Sequence, residues 1–147
     1  MTAEIIALIV AALAGMTMAV QGAMNAGLSG STGLWGMAFF VHASGLVLAT
    51  VGLFVAGQAG KLGAVLRAPV ANVWGGVLGV LIIYAVARSI PKVGAGPATT
   101  AIIVGQVITA FLIDHFGLFG LDDLPLTWLR PVGLGFLAIG AYLLLKK

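Results

Sequence analysis

The chain has very few charged residues, and this scarcity excludes most classes of soluble protein. Only 7% of its 147 residues are charged, whereas globular domains average about 25%. Hydrophobic residues make up 61%, which excludes intrinsic disorder because disorder requires low hydrophobicity and high charge. The seven Lys and Arg residues give a net charge of +3 but are spread along the chain, so they form no patch for nucleic acid. We therefore expect an integral membrane protein whose first partner is the lipid bilayer.

Cysteine is absent and histidine occurs only twice, so the side chains that carry much of protein chemistry are missing. A disulfide scaffold is excluded. Two histidines without cysteine leave almost no basis for a metal centre or a nucleophile–base pair. The glycine-rich stretch VGAGP lacks the lysine of a phosphate-binding loop. We predict no catalytic residue, no metal and no cofactor, and hence a protein that is not an enzyme.

Long apolar runs predict transmembrane helices, because a bilayer core about 30 Å thick is crossed by roughly 20 apolar residues. Breaks rich in glycine, serine and proline separate these runs, among them LSGSTG and RSIPKVGAGP. The expected fold is one all-α domain, residues 1–147, with five transmembrane helices and its termini on opposite sides of the membrane. The helices are expected at about residues 3–26, 33–56, 70–87, 97–116 and 128–145.

The charges in the loops barely favour one orientation of the chain. Cytoplasmic loops normally hold the excess of lysine and arginine. A weakly preferred orientation and insertion in both orientations are equally compatible with the balance observed here. With both orientations, copies would pair as an antiparallel homodimer of ten helices, the inverted architecture of many transporters. Three cations lie on the side of the amino terminus and four on the other: Lys61, Arg67 and Arg130 against Arg88, Lys92, Lys146 and Lys147.

Amides inside the apolar runs are the first candidates for a pathway, because polar groups at membrane depth are usually functional. Gln21 and Asn25 are four residues apart, so they share one helix face with Thr17. Gln106 lies near the middle of the fourth run. Contact with a solute and hydrogen bonding between helices explain these amides equally well.

Other polar side chains form a second group of candidates. His42 lies near the middle of the second run; a neutral imidazole bonded to a carbonyl is favoured there over a proton relay. Tyr84 is a candidate wall of the pathway or an anchor at the membrane interface. Glu4, Arg88 and Asp114 are candidate partners for a proton or a charge, although their positions at helix ends favour a solvated role. No acid lies at the centre of a run.

Three stretches of the sequence carry a family resemblance: VQGAMNAGLSGSTG, FFVHASG and VGAGPATTAIIVGQVITAFLIDHFGLFG. They resemble the YdcZ-like family, a five-helix branch of the drug/metabolite transporter superfamily of bacterial inner membranes. The resemblance covers nearly the whole chain. The sequence GPATT has a proline where the pattern of the family usually has alanine.

The resemblance implies a small secondary transporter, an exporter of a metabolite or drug-like solute, in the bacterial inner membrane. Members are five-helix units, sometimes paired with an oppositely oriented sibling, which implies alternating access in a dual-topology dimer. Gln21, Asn25 and Gln106 would then line the pathway. Related four-helix multidrug transporters use a glutamate in the first helix, whereas this sequence has Gln21 in the matching region and Glu4 at the helix end. The alternative is a non-transporting membrane subunit that assembles with another membrane protein.

Overall fold

The computed structural model describes residues 2–121 and 127–146. Short 3₁₀-helices span Ala59–Arg67 and Leu118–Gly120. The predicted all-α class is confirmed, and the predicted terminal cation Lys147 lies outside the described residues. The described residues form five α-helices: α1 (Thr2–Val55), α2 (Val70–Val73), α3 (Gly75–Val93), α4 (Ala95–Phe116) and α5 (Leu129–Leu145).

The first two apolar runs lie in one helix, α1, which is longer than either helix predicted there. Three stretches of helix in the described part of the chain are long and apolar enough to cross a membrane: Ala3–Val55, Val70–Val93 and Ala95–Phe116. Helix α5 is apolar and 17 residues long, which is at the lower limit of roughly 17–25 residues for a span. Helix α1 has 54 residues and would measure about 80 Å if straight, more than twice the thickness of a bilayer core.

Helix α1 is not straight, because its backbone bends at Gly33. This residue has φ 73° and ψ 165°, a combination that essentially only glycine adopts. The predicted loop at residues 27–32 is therefore wrong, since these residues are helical up to the bend. Within this stretch the Ser29 hydroxyl donates a hydrogen bond to the Ala26 carbonyl, 2.8 Å away. A one-residue break suits a membrane better than an open loop, because it leaves fewer backbone groups without partners.

Contacts with α3 show that α1 folds back at Gly33. A β-carbon built on Gly22, before the bend, would lie 3.1 Å from a methyl group of Val86. Beyond the bend, the Nε2 atom of His42 lies 3.5 Å from the equivalent position on Gly79. Gly22 and His42 would be about 30 Å apart on a straight helix, whereas Val86 and Gly79 are only about 10 Å apart along α3. Residues 2–32 and 34–55 therefore form a helical hairpin.

The described chain divides into two compact units, Met1–Lys92 and Val93–Lys147. In the first unit the side chains of Met37, Ala38 and Ala87 are buried. Two of these three residues are alanines, and small side chains of this kind are enriched where helices pack in lipid. Partly buried hydrophobic side chains surround this core: Leu28, Leu34, Val41, Val80 and Ile83.

A second single glycine ends α3. The sequence predicts a break over RSIPKVGAGP, but α3 continues through Pro91 to Val93, and Gly94 then breaks the helix with φ 93° and ψ 159°. The predicted break is therefore too long. Pro91 lies inside α3, two residues before its end, and its ring removes one helical hydrogen bond there.

In the second unit α4 packs against α5, with Ala98 and Ala141 buried. Helix α4 ends at Gly117, which has left-handed dihedrals and donates its N–H to the Ile113 carbonyl, as a glycine cap does. Near the start of α5, the Arg130 guanidinium lies 5.5 Å from the centre of the Phe111 ring. This contact fits a cation–π interaction.

Candidate functional site

The polar stripe on the first arm of α1 is exposed at one end and buried at the other. Thr17 is exposed and its hydroxyl donates to the Leu13 carbonyl at 2.9 Å, so its polar group is satisfied within its own helix. Gln21, one turn further, is exposed. Asn25, another turn on, is only 6% exposed. The stripe therefore leads from the surface of the hairpin into its interior.

Asn25 is the buried polar residue of the described core. Within residues 2–121 and 127–146, no hydrogen bond is formed by its side-chain amide. The fully buried side-chain atom without a partner in this part of the chain is Nη1 of Arg130, so the Asn25 amide atoms keep some accessible surface. Asn25 therefore has hydrogen-bonding capacity that the fold does not use.

On the second arm of α1, the imidazole of His42 is half-buried. Its Nδ1 atom lies 2.8 Å from the Ala38 carbonyl oxygen. A carbonyl oxygen only accepts, so Nδ1 carries the proton and donates it. In the neutral ring, Nε2 is then left with a lone pair. The carbonyl hydrogen bond expected for His42 is thus present, and the second nitrogen is directed toward Gly79 on α3.

Tyr84 packs against an aromatic residue that sequence reasoning did not select. Its ring centre lies 4.8 Å from that of Trp35, with the planes tilted by 43°, a favourable distance for an aromatic pair. Tyr84 is half-buried and Trp35 is exposed. One signal in the sequence could have identified Trp35: it lies seven residues before His42, which is two turns along the same helix face.

Trp35 and His42 line an open groove beside α3 with a volume of about 560 Å³. This is within the range of about 300–1,000 Å³ that is common for small-molecule sites. The rest of the lining is apolar and consists of Ala38, Phe39, Ala43, Leu46 and Val80. The groove thus includes His42, a polar side chain selected from the sequence.

The two polar groups of the hairpin lie at similar distances from its bend. Asn25 is eight residues before Gly33, and His42 is nine residues after it. At 1.5 Å per residue both are about 12–14 Å from the bend. The hairpin therefore brings an amide and an imidazole, 17 residues apart in sequence, to a similar height.

The remaining candidates lie elsewhere. In the second unit Gln106 is exposed near the middle of α4, and Asp114 is half-buried in its last turn. In the first unit Glu4 is exposed in the first turn of α1, and Arg88 is exposed on α3, one turn beyond Tyr84. The three charged candidates are thus nearer to helix ends than the amides and the imidazole are.

Comparison with protein families confirms the resemblance seen in the sequence. The family described as "Putative inner membrane exporter, YdcZ" matches residues 6–143. No curated protein and no solved structure matches the chain. The matching family is one of exporters and not of enzymes. With several apolar helices long enough to cross a bilayer, the chain is a multi-pass inner membrane protein, and it belongs to the YdcZ family of inner membrane exporters.

Proposed function

We propose that the chain exports a small metabolite or drug-like solute by alternating access, as an antiparallel homodimer whose copies insert in both orientations. The family match supports export. The nearly equal number of cations on the two predicted sides supports insertion both ways. Pairing of inverted copies would build a ten-helix transporter from one gene, in the manner of inverted-repeat transporters.

The observation that carries this proposal is the unused hydrogen-bonding capacity of Asn25. The residue is 6% exposed and lies in a helix that is apolar enough to cross a membrane. Lipid tails offer no hydrogen bond, so an amide kept at this depth needs a solute, water or another protein chain. A transport pathway supplies solute and water, and a dimer interface supplies another protein chain.

The height of Asn25 and His42 agrees with a pathway. If the bend at Gly33 lies near one surface of a bilayer core about 30 Å thick, residues about 12–14 Å away are close to the midplane. Transporters of the inverted-repeat type hold their solutes at this depth. Gln21 extends the polar stripe by one turn, and Tyr84 supports the aromatic wall.

Gln106 remains a predicted pathway residue on separate grounds. It is eleven residues from the start of α4, so it lies about 16 Å along a helix that is long enough to span the bilayer. Glu4, Arg88 and Asp114 remain proposed partners for a proton or a charge. Their positions near helix ends suit the entrance of a pathway better than its centre.

The test is export by variants that replace the amides with an apolar side chain. We expect Asn25→Leu and Gln106→Leu to abolish resistance of expressing cells to the compounds in a toxic-solute panel, and efflux of those compounds from proteoliposomes. The matched control is Thr17→Val, because the Thr17 hydroxyl is satisfied by its own helix. This control should export like the parent protein.

The stability of Asn25→Leu separates transport from assembly. The Asn25 amide forms no hydrogen bond within the described residues, so replacing it with leucine removes no hydrogen bond of the fold, and we expect the variant to be about as stable as the parent protein. Lost export with preserved stability supports the pathway. Lost dimer with no flux in the parent protein would instead support the non-transporting subunit, and unchanged export by both variants would remove these residues from the pathway.

A further inference from the structure

The groove beside α3 has a chemical character that points to one class of ligand. We propose that it binds a neutral small molecule with an apolar body and one hydrogen-bond donor, such as a phenol or an alcohol, and that Nε2 of His42 accepts that hydrogen bond. The inference rests on the proposed function in one respect: it names the class of solute for a pathway that includes His42. Binding itself is independent of transport.

The His42 ring has one nitrogen that is already hydrogen-bonded. When the ring is neutral, donation from Nδ1 to the Ala38 carbonyl leaves Nε2 as an acceptor. No residue in the described parts of the chain, 2–121 and 127–146, forms a hydrogen bond with Nε2. His42, which lines the groove, therefore carries an acceptor nitrogen that the described chain does not use.

Helix α3 faces the Nε2 atom of His42. The neighbouring residue on α3 is Gly79, and a β-carbon there would already be in van der Waals contact with Nε2 at 3.5 Å. Any longer side chain at this position would cover the nitrogen. Because this residue is a glycine, no side chain from this position covers the nitrogen.

The lining of the groove is mostly apolar. Seven residues line the groove, and His42 is the polar one among them apart from the indole N–H of Trp35. Among the described residues no charged side chain lines it, so an ionic ligand would lose its hydration without compensation. Trp35 and Phe39 offer aromatic surface to an apolar body. A neutral amphiphile with a donor satisfies both the lining and the imidazole.

The length of the groove limits the ligand. Its lining on α1 runs from Trp35 to Leu46, about 16 Å along the helix. His42 lies between these ends. A compact molecule can therefore place its donor at Nε2 and its body against Trp35.

The experiment uses the full chain in nanodiscs, with Trp74→Phe and Trp128→Phe so that Trp35 is the fluorescent reporter. The probes are 4-tert-butylphenol and its methyl ether, 4-tert-butylanisole, which share a body and differ in the donor. We expect a saturable change in Trp35 fluorescence, with the phenol binding about tenfold more tightly, as one net hydrogen bond allows. His42→Phe should abolish the difference between the probes.

Two variants control for a general loss of structure. Gly79→Leu should block both probes, because its side chain fills the space beside Nε2. Gly140→Leu makes the same change at a glycine with no atom of the described chain within 4 Å of its β-carbon position, and it should leave binding intact. A protein that retains Trp74 and lacks Trp35 corrects for partition of the probes into lipid.

Three results would overturn the inference. The first is equal affinity for the two probes, and the second is a preference for the phenol that persists in His42→Phe. The third is quenching of Trp35 fluorescence by brominated lipid that the phenol does not reverse. The last would identify an acyl chain as the occupant. Binding of the phenol without any export would leave the inference standing and refute the proposed function. Export that persists in Gly79→Leu, with no phenol binding in the parent protein, would refute the inference and leave the proposed function standing.

Discussion

Gly33 is the position at which a single added methyl group should change the stability of the hairpin most clearly. Its φ of 73° and ψ of 165° lie in a region that costs other residues of the order of 1–3 kcal/mol. No atom of the described chain lies within 4 Å of a β-carbon built on it, so a clash with a neighbour contributes nothing. Gly33→Ala should therefore lose about 1–3 kcal/mol of unfolding free energy from backbone strain alone.

Gly30 provides a matched control three residues away. It lies in α1 without a positive φ, and it also has no described atom within 4 Å of the β-carbon position. Alanine is favoured over glycine inside a helix by roughly 0.5–1 kcal/mol. Gly30→Ala should therefore be stabilising, and the two alanine variants should differ by about 1.5–4 kcal/mol.

The free energy of unfolding can be measured by titrating the protein in mixed micelles with dodecyl sulfate and following tryptophan fluorescence. The test is the sign of the change in unfolding free energy, which should be negative for Gly33→Ala and positive for Gly30→Ala. A Gly33→Ala protein as stable as the parent would refute the bend at this residue. A Gly30→Ala protein that is as destabilised as Gly33→Ala would refute helical structure up to residue 32.

Two further predictions address packing and orientation. Gly22→Leu should lose about 1–3 kcal/mol of unfolding free energy by overpacking, because its β-carbon would already lie 3.1 Å from Val86. Gly15→Leu is the control and should be neutral, since no described atom lies within 4 Å of its β-carbon position. Thermal unfolding of the two variants checks this prediction. A reporter fused to the carboxyl terminus should be active on both sides of the membrane. Lys92→Gln and Lys61→Gln should shift the ratio of the two activities in opposite directions. Activity on one side only would exclude the antiparallel homodimer.

The helical fold was predictable from the sequence because lipid leaves the backbone no alternative partners. Runs of apolar residues must satisfy their own N–H and C=O groups, and helices do so within one segment. The sizes of the breaks were not predictable in the same way. Composition marks LSGSTG and RSIPKVGAGP as loops, yet Gly33 and Gly94 each accomplish the break alone.

The candidate site was predictable in its residues more than in its arrangement. The carbonyl partner of His42 is four residues away on the same helix, so a local argument anticipates that type of bond. The pairing of Trp35 with Tyr84 depends on the register between α1 and α3, which a single sequence does not specify. The burial of Asn25 likewise follows from the fold-back of the hairpin and not from its neighbours in sequence.

A bend made by one residue has a consequence for how the protein can move. A six-residue loop would let the two arms of α1 slide against each other, whereas a single glycine with two dihedral angles joins them almost directly. Helix α3 then contacts both arms, at Gly22 and at His42. The heights of Asn25 and His42 are therefore set by rigid helix on either side of Gly33, and sliding one arm would break contacts on α3. We expect the hairpin and α3 to move as one body during export, so that access alternates through motion at the outer surfaces of this unit.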